Sequence, residues 1–260
     1  MTYDDVRYMS YSLLTAQEWW RLKLQKIPIG DMPIFVKREV SNTFVDERAE
    51  IGRGTIIFPN CSIMGKVVIG KNCVIMPGAT LIGEEITEEE KANGKTEMRL
   101  GDNCLVCPNA TLLNVEAGDG VTLGLPHQKN SKIGDGSVIG ALAEFNRSEF
   151  GKDGKNVHNS YSGDTKWGDG YNVGAGTVIA NYDGNNKHKT VFGPNCSTGV
   201  NTSIIAPNEF PEGIQIAAGS LIIANIKNVF QKLGQELRPY SLLRSLVLNF
   251  KTVPRENEKK

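Results

Sequence analysis

The side chains best suited to chemistry lie between residues 140 and 190. Glu144 precedes His158 and Tyr161, and Lys187 follows the turn-forming run Asn181-Tyr182-Asp183-Gly184. Imidazole titrates near neutral pH and a carboxylate can hold the ring in one tautomer, so this set is suited to acid–base chemistry. Taken singly, each residue is ordinary, because a lone histidine is more often structural and loop lysines are more often solvated.

Cysteine is the second residue type with reactive chemistry. The only close pair is Cys104-Leu105-Val106-Cys107, which could be half of a zinc site or a redox pair. Neither interpretation has the second ligand pair or the strand–helix–strand setting that it needs, so we expect structural thiols. Four of the five cysteines occupy the slot of a small hydrophobic residue in the repeat described next: Cys61, Cys73, Cys104 and Cys196.

A six-residue repeat must position these side chains. Aliphatic residues recur at every sixth position from Ile51 to Leu81, and the same period returns until Ile222. Six fits neither the 3.6-residue period of a helix nor the alternation of an ordinary strand. It fits a three-sided solenoid in which three units close a turn of roughly 18 residues and stacked turns share one core. The predicted inward positions after Leu81 are Leu100, Val106, Leu112, Ala117, Leu123, Ile133, Ile139, Phe145, Trp167, Val173, Ile179, Phe192, Thr198, Ile204, Phe210, Ile216 and Ile222.

Interruptions of the repeat are predicted to leave the solenoid as loops, where function is usually placed. They are residues 84–98, 124–132 and 180–191. The first is acidic and is interpreted as a solvated loop, whereas the other two carry histidine and lysines. A fourth irregular stretch, 151–166, has no aliphatic residue at its inward positions. Glycine and asparagine are expected at corners, where φ must be positive.

The 260 residues divide into a helical N-terminal cap over 1–43, a solenoid over 44–223, and a helix with a tail over 224–260. Equal numbers of basic and acidic residues, 29 each, argue against a nucleic-acid partner. No segment has the roughly 20 apolar residues of a membrane span, and the aspartates near the N-terminus are unlike a signal peptide, so we expect a cytoplasmic protein. Aromatic residues make up 7%, as expected for a thin prism with room for few rings.

The motifs over about residues 140–222 resemble the acetyltransferase domain of the bifunctional glucosamine-1-phosphate acetyltransferase/N-acetylglucosamine-1-phosphate uridylyltransferase family. They are Ala143-Glu144-Phe145-Asn146-Arg147-Ser148, His158-Asn159-Ser160-Tyr161, and the run NVGAGTVIANYDGNNKHKT from Asn172 to Thr190. Earlier coils resemble only the wider hexapeptide-repeat superfamily. The resemblance implies an all-β fold, a left-handed parallel β-helix, here of eight or nine coils. It also implies an acetyl-coenzyme A-dependent N-acetyltransferase that acts on an amino sugar.

The resemblance assigns roles to individual residues. It implies that His158 is the catalytic base, partnered by Glu144, and that the backbone around Ala175 supplies an N–H to the oxyanion. The implied sugar contacts are Tyr161, Asn172, Asn181 and Lys187. The implied acetyl-coenzyme A contacts are Ala175, Val200 and Ala218. Because the family places its acyl-donor site between the subunits of a trimer, a homotrimer with intersubunit sites is also implied.

Two departures from the family pattern bear on the substrate. No nucleotidyltransferase domain or glycine-rich nucleotide loop is found, so no uridylyl transfer is expected. The Arg-Pro-Gly motif and the lysine that hold the sugar phosphate in the family align with Gln128-Lys129-Asn130 and with Asn146. Lys129 and Arg147, one residue away, are candidate substrate contacts, although a one-residue shift along a strand normally turns a side chain to the other face. We therefore expect an amino-sugar phosphate or a nucleotide-linked amino sugar as the acceptor.

Two other functional classes stay open at this point. Hexapeptide solenoids also serve as non-catalytic assembly scaffolds, in which the polar residues above need not converge. A metal enzyme of the γ-carbonic anhydrase type uses the same solenoid, but that family places two histidines close together in sequence. The three histidines here, His127, His158 and His188, lie about thirty residues apart, so no metal is expected.

Overall fold

A computed structural model describes residues 42–93, 95–124, 128–140, 142–226, 228 and 242–243. All of them belong to one compact unit, Pro33–Lys260. The predicted N-terminal cap and C-terminal segment lie outside the described residues, except for a few positions at their inner ends and the pair 242–243. Within the described residues, no helix is long and apolar enough to cross a membrane.

Short strands stack in parallel into a three-sided β-helix, with successive coils in register. Phe44 pairs with Ser62 on one side and Ile51 pairs with Ile69 on the next. One 17-stranded sheet covers two sides, and sheets of six and three strands cover the other. The three-sided coils are those that the repeat predicts, and the fold is the left-handed parallel β-helix that the resemblance implies. We number the three sides of a coil in chain order. The first corner follows the first side, the second corner follows the second side, and the third corner leads into the next coil.

Nine full coils are described, and a tenth begins, which agrees with the predicted eight or nine. Coils 1 to 3 contain β1 (Phe44–Val45), β2 (Glu50–Ile51), β3 (Ile56–Ile57), β4 (Ser62–Gly65), β5 (Val67–Ile69), β6 (Val74–Ile75), β7 (Thr80–Gly83), β8 (Met98–Leu100) and β9 (Leu105–Val106). Coils 4 to 6 contain β10 (Thr111–Ala117), β11 (Thr122–Leu123), β12 (Gln128–Ile133), β13 (Val138–Ile139), β14 (Ala143–Asn146), β15 (Glu149–Phe150) and β16 (Lys155–Asn156). Coils 7 to 9 contain β17 (Ser160–Gly163), β18 (Thr165–Trp167), β19 (Thr177–Ala180), β20 (Thr190–Phe192), β21 (Ser197–Thr198), β22 (Ser203–Ile205), β23 (Asn208–Phe210) and β24 (Gln215–Ile216). β25 (Leu221–Ile222) begins coil 10, and β26 (Leu242–Leu243) pairs with β24.

The core is built from the inward positions that the six-residue period predicts. From Ile57 to Ile222 every one of them is buried, and successive coils stack them in register, as Ile63 is with Leu81. Burying one aliphatic side chain contributes about 1.5–3 kcal/mol, less than the cost of ordering the six residues of its unit. The coils are therefore stable only as a stack.

The corners show the predicted left-handed backbone. Gly54 has φ 79° and Asn72, one coil later at the same corner, has φ 54°. A Cβ on Gly54 would lie 2.3 Å from the Asn72 Oδ1, so the amide of one coil occupies the space that the glycine of the previous coil leaves. Asparagine accounts for most of the non-glycine residues with positive φ, because its short side chain tolerates this conformation.

Four cysteines occupy the slot that the period predicts. Cys61, Cys73, Cys104 and Cys196 are buried, and none of them forms a disulfide. Each sulfur lies 3.1 Å from a backbone carbonyl oxygen of the following coil. The thiols therefore link successive coils, as the structural interpretation expects. Cys107 is only partly buried.

The predicted loop over 124–132 is wrong. β12 begins at Gln128 and continues the prism, with Gln128 buried in the inward position and paired with Phe145. Leu112 pairs with Gln128 only sixteen residues later, so this coil is shorter than the eighteen-residue coils at the start. A shortened coil shifts the period, and a polar inward residue then looks like an interruption. The stretch 151–166 is likewise regular, with buried Asn156 and Ser162 as its inward residues.

Large rings line the interior of coils 6 to 9, contrary to the expectation of a prism with room for few of them. The Trp167 and Phe192 rings are parallel with centroids 3.7 Å apart, and Phe192 stacks on Phe210 at 4.7 Å. Phe150 and Tyr171 continue the cluster at 5.3 Å. Stacking along the axis explains this, because the coil spacing of about 4.8 Å suits offset rings.

The other two predicted loops do leave the prism, and both leave at the first corner. Residues 84–97 separate β7 from β8 and contain helix α1 (Glu88–Ala92), which Thr87 caps in a capping box with Glu90. Residues 181–189 separate β19 from β20 in coil 8; we call them the arm.

Candidate active site

The outer face of the first side carries two of the predicted site residues. Glu144 of β14 pairs with Tyr161 of β17, which pairs with Val178 of β19. Phe145 and Ser162 point inward, so their neighbours point outward, as alternation along a strand requires. Burial raises the pKa of Tyr161, and the negative charge of Glu144 adds to this. The phenol is therefore a neutral hydrogen-bond donor beside an exposed carboxylate.

A second outward row runs beside the first. Lys129 pairs with Asn146, and Asn146 pairs with Gly163. Lys129 is exposed on the outer face because Gln128 takes the inward position. Gln128 and Lys129 thus lie on opposite faces of the strand, as a one-residue shift requires, and Lys129 is the one that lies on the outer face.

His158 and the three predicted acetyl-coenzyme A contacts form one column at the third corner. Lys155 bridges to Asn172 before this corner and Ser160 pairs with Thr177 after it, so the same shift of seventeen residues places Ala175 one coil after His158. Hydrogen bonds continue the column, since the Asn201 N–H donates to the Ala175 carbonyl at 2.7 Å and the Gly219 N–H donates to the Val200 carbonyl at 2.8 Å. The column of successive coils is His158, Ala175, Val200 and Ala218.

His158 lies at the edge of the first side, and Glu144 lies on the outer face of the same side. Both are exposed, and within the described residues neither side chain makes a hydrogen bond or an ion pair. Their pairing stays a prediction. Asn172 lies on the third side, bridged to Lys155 and Ser197, so the third corner separates it from Tyr161.

A polar cluster at the first corner joins Arg147 and Asn181 through Asp164. Arg147 donates from Nε and Nη2 to the two Asp164 carboxylate oxygens at 2.6 and 2.8 Å, and Asn181 Nδ2 donates to Asp164 Oδ2. Burial alone would raise the pKa of Asp164. The hydrogen bonds from Arg147 and Asn181 outweigh it, helped by the charges of Arg147 and Lys187, and hold that pKa below its usual value.

The arm has hydrogen bonds of its own. Asp183 Oδ1 accepts from the Asn185 and Asn186 N–H groups at 2.8 and 2.7 Å, and Asp183 Oδ2 lies 2.7 Å from His188 Nε2. These bonds hold the pKa of Asp183 well below its usual range. Lys187 is exposed on this ordered arm and faces Tyr182 across an antiparallel bridge.

The structure thus brings Glu144, Tyr161, Arg147, Asn181 and Lys187 to one face and its first corner. His158 stands at the opposite edge of that face. Asp164, which joins the cluster together, lies in the irregular stretch 151–166, and the sequence analysis gives it no role. Arg147 and Asp164 are seventeen residues apart, the length of a coil here, so the coil length would have revealed the contact.

The described part of the chain contains no group of three His, Cys, Asp or Glu side chains that could hold a metal ion. His188 contacts Asp183, and His127 lies outside the described residues.

Comparison with known proteins agrees with the repeat. The family described as bacterial transferase hexapeptide (six repeats) matches residues 48–83. Bifunctional protein GlmU of Synechococcus sp. (strain RCC307) is 33% identical over 202 residues, which cover 74% of this chain and 42% of that protein. Bifunctional protein GlmU of Clostridium novyi (strain NT) is 32% identical over 218 residues, which cover 83% of this chain and 44% of that protein. The chain thus spans less than half the length of these curated relatives.

Among solved structures, UDP-N-acetylglucosamine acyltransferase of Francisella novicida is 19% identical with a TM-score of 0.41, covering 73% of this chain and 62% of that one. The Arabidopsis UDP-N-acetylglucosamine acyltransferase is 18% identical with a TM-score of 0.38, covering 68% and 58%. The hexapeptide-repeat match over residues 48–83 covers the first regular coils, and the same six-residue period continues to Ile222.

Proposed function

We propose that this chain is an acetyl-coenzyme A-dependent N-acetyltransferase whose acceptor is an amino-sugar phosphate or a nucleotide-linked amino sugar. The observation that carries the proposal is the placement of the motif residues. Residues spread from 129 to 218 form one continuous surface, made of the outer first side and the two corners that flank it. Relatives that match most of this chain bear the name of the bifunctional family that these motifs resemble.

His158 is the proposed catalytic base. An ammonium group has no lone pair, so the acceptor nitrogen must lose a proton before it attacks the thioester carbon. An exposed imidazole at the third corner can take that proton from an acceptor lying on the first side. The carboxylate of Glu144, on the same face, is the proposed partner that stabilises the imidazolium as it forms.

The acyl donor is proposed to lie along the third-corner column. Ala175, Val200 and Ala218 are small or medium side chains, and coils repeat about every 4.8 Å, so the column offers a shallow track for a long, thin molecule. Within the described residues, the Ala175 N–H donates to no protein acceptor. It is thus available to the oxyanion that forms one coil away from His158.

The acceptor sugar is proposed to lie between this column and the arm. Tyr161, as a neutral phenol, can donate a hydrogen bond to a sugar hydroxyl, and Lys187 brings a cation from the arm. Lys129 supplies a second cation beside Asn146, where the family holds a phosphate. Asn172 lies beyond the third corner, and we propose that it contributes from the third side.

A homotrimer with sites between subunits fits this surface. Val200 is 50% exposed, Val178 is 43% exposed and Leu221 is 39% exposed, so apolar side chains stand open beside the third-corner column. Large apolar groups open to solvent often mark contacts with another chain. We propose that a second subunit covers them, and that the assembly is cytoplasmic.

The proposal is tested by thiol release from acetyl-coenzyme A with a panel of amino sugars. We expect His158→Ala to lower kcat by about 10²–10⁴-fold, the usual contribution of a general base, and Glu144→Gln to lower it as well. The matched control is Glu149→Gln on the second side of the same coil, where Glu149 pairs with Lys166 at 3.2 Å; it should keep the wild-type rate.

Absence of thiol release with every sugar, or a His158→Ala variant equal to wild type, would contradict the proposal. A stable trimer without activity would instead support the second candidate, a non-catalytic assembly scaffold. The convergence of Glu144, Tyr161 and Lys187 favours the enzyme, since a scaffold does not need it.

A further inference from the structure

The Arg147 guanidinium already has a carboxylate partner in its own chain, unlike a side chain that is free to bind a substrate. Both carboxylate oxygens of Asp164 accept from its guanidinium, from Nε at 2.6 Å and from Nη2 at 2.8 Å. The pair is partly buried, with 32% of the Arg147 side chain and 12% of the Asp164 side chain exposed. A two-pronged contact of this kind fixes the guanidinium plane and cancels its charge. Arg147 is thus a poor ligand for a further anion.

Asp164 connects Arg147 to the root of the arm. Its Oδ2 also accepts from Nδ2 of Asn181, the first residue of the arm, which is buried. Gly163 makes room for this contact, because a Cβ there would lie 2.6 Å from the Asn181 amide. The order of bonds is therefore Arg147 to Asp164 to Asn181.

Asn181 in turn closes the arm. Its carbonyl accepts from the His188 N–H at 2.7 Å, which joins the two ends of the excursion. Lys187 is the residue just before His188, and its charge acts on Asp164. A shift of Asn181 therefore moves the base of the arm that presents Lys187.

At this corner the backbone of Arg147 and Asp164 is in the strained left-handed conformation. Arg147 has φ 52° and Asp164 has φ 49°, whereas the two preceding coils place Asn114 and Asn130 at this corner. Asparagine tolerates the left-handed region, but an arginine there costs on the order of 1 kcal/mol. Strain of this kind persists where the side chain has a specific task.

We propose that Arg147 and Asp164 are positioning residues, which hold Asn181 and thereby the arm that carries Lys187, and that Arg147 does not bind the acceptor's phosphate. This inference rests on the proposed function insofar as Lys187 contacts the acceptor. It replaces the substrate contact that the sequence analysis gives to Arg147.

The first test compares glucosamine with glucosamine 1-phosphate as acceptors. Arg147→Ala should lower kcat/KM for both by the same factor, about tenfold to a hundredfold, because a misplaced arm affects both equally. Arg147→Lys should fall as far, since an ammonium cannot make the two-pronged contact. A loss confined to the phosphorylated acceptor, with activity kept by Arg147→Lys, would show that Arg147 binds the phosphate and would overturn the proposal.

A double-mutant cycle tests the pair as a unit. The variant that combines Arg147→Ala with Asp164→Ala should be no worse than the poorer single variant, because Arg147 acts on Asn181 only through Asp164 and Asp164→Ala already removes the bond to Asn181. If the loss of kcat/KM in the double variant equals the product of the two single losses, Arg147 and Asp164 have independent roles and the proposal is wrong. Lys132→Ala is the control; it breaks the 3.2 Å pair with Glu116 on the second side and should leave kcat/KM unchanged.

Amide hydrogen exchange separates this inference from the proposed function. In Arg147→Ala and Asp164→Ala, exchange over residues 182–188 should rise about tenfold or more, while β22 of the next coil stays protected. If the wild type acetylates no amino sugar, the proposed function fails, yet this result still decides whether the pair holds the arm. Unchanged exchange in the arm would overturn the positioning role.

Discussion

Coils 1 to 4 and coils 5 to 8 share one prism but have different interiors. The first-side column begins with Ile63, Leu81 and Leu112, continues with buried Gln128, and reaches buried Ser162 two coils later. Gln128 and Ser162 both have buried side-chain atoms without a protein partner. Coils 1 to 4 carry none of the proposed site residues, whereas coils 5 to 8 carry all of them except Ala218 in coil 9.

This difference indicates that the repeat and the site place separate demands on the same chain. A regular aliphatic interior needs nothing from the outer face, so the first coils are explained by packing alone. In coils 5 to 8 the proposed site makes demands on the outer residues, and polar interiors and strained corners are tolerated there. Arg147, with φ 52°, is the clearest case.

The largest expected effects come from truncating one buried aliphatic side chain in the core of each region. Ile75 of coil 2 and Ile179 of coil 8 are both 0% exposed, so changing either to alanine should lower the free energy of unfolding by about 2–5 kcal/mol. Only Ile179→Ala should also lower acetyl transfer per folded molecule, because β19 leads directly into the arm at Asn181. Denaturant unfolding and initial rates measure the two quantities.

Equal activity in these two variants would show that the site does not depend on the core beneath it. The comparison between the two regions would then be one of composition alone.

Smaller changes in the free energy of unfolding, of opposite sign, are expected when a polar inward residue is made apolar and an apolar one is made polar. Gln128→Leu should raise the free energy of unfolding by about 1–2 kcal/mol, because it removes a buried amide whose Nε2 and Oε1 have no partner in the described residues. Leu112→Gln, the reverse change one coil earlier in the same column, should lower it by more than that. A loss of stability in Gln128→Leu would show that bonds to solvent inside the prism satisfy this amide.

The sequence predicted the fold well because its evidence is local. An aliphatic residue at every sixth position can only be buried in this way by a three-sided coil, and every predicted inward position from Ile57 to Ile222 is buried. The same rule failed at 124–132, because Gln128 is polar and its coil is shorter. A period of apolar residues cannot distinguish a loop from a coil with a polar interior.

The site was less accessible from the sequence, since it depends on register between coils. Lys129 lies beside Asn146, and Arg147 meets Asp164, because the two residues of each pair are seventeen positions apart, the length of these coils. One residue more or less at a corner would break either contact. The pairing of His158 with Glu144 stays a prediction, because neither exposed side chain makes a hydrogen bond within the described residues, and the trimer stays one because it depends on contacts between chains.

The smallest expected effect is a pH dependence confined to the arm. The folded-state pKa of Asp164 lies below its usual value, so its ionised form adds stability that is fully present above about pH 4 and is lost as the pH falls through the folded pKa. The Asp164 contribution to the protection of amides 182–188 from hydrogen exchange should therefore be level from pH 7 to pH 5 and fall below about pH 4. In Asp164→Asn that protection should be lower at pH 7, and the Asp164 contribution to the acid step should be missing. Asp183, whose pKa is also lowered, remains in this variant and contributes its own acid dependence, so the difference between the two profiles is the quantity that reports Asp164. If wild type and Asp164→Asn lose protection in parallel, the corner does not hold the arm, and coils 5 to 8 differ from coils 1 to 4 only in their interior.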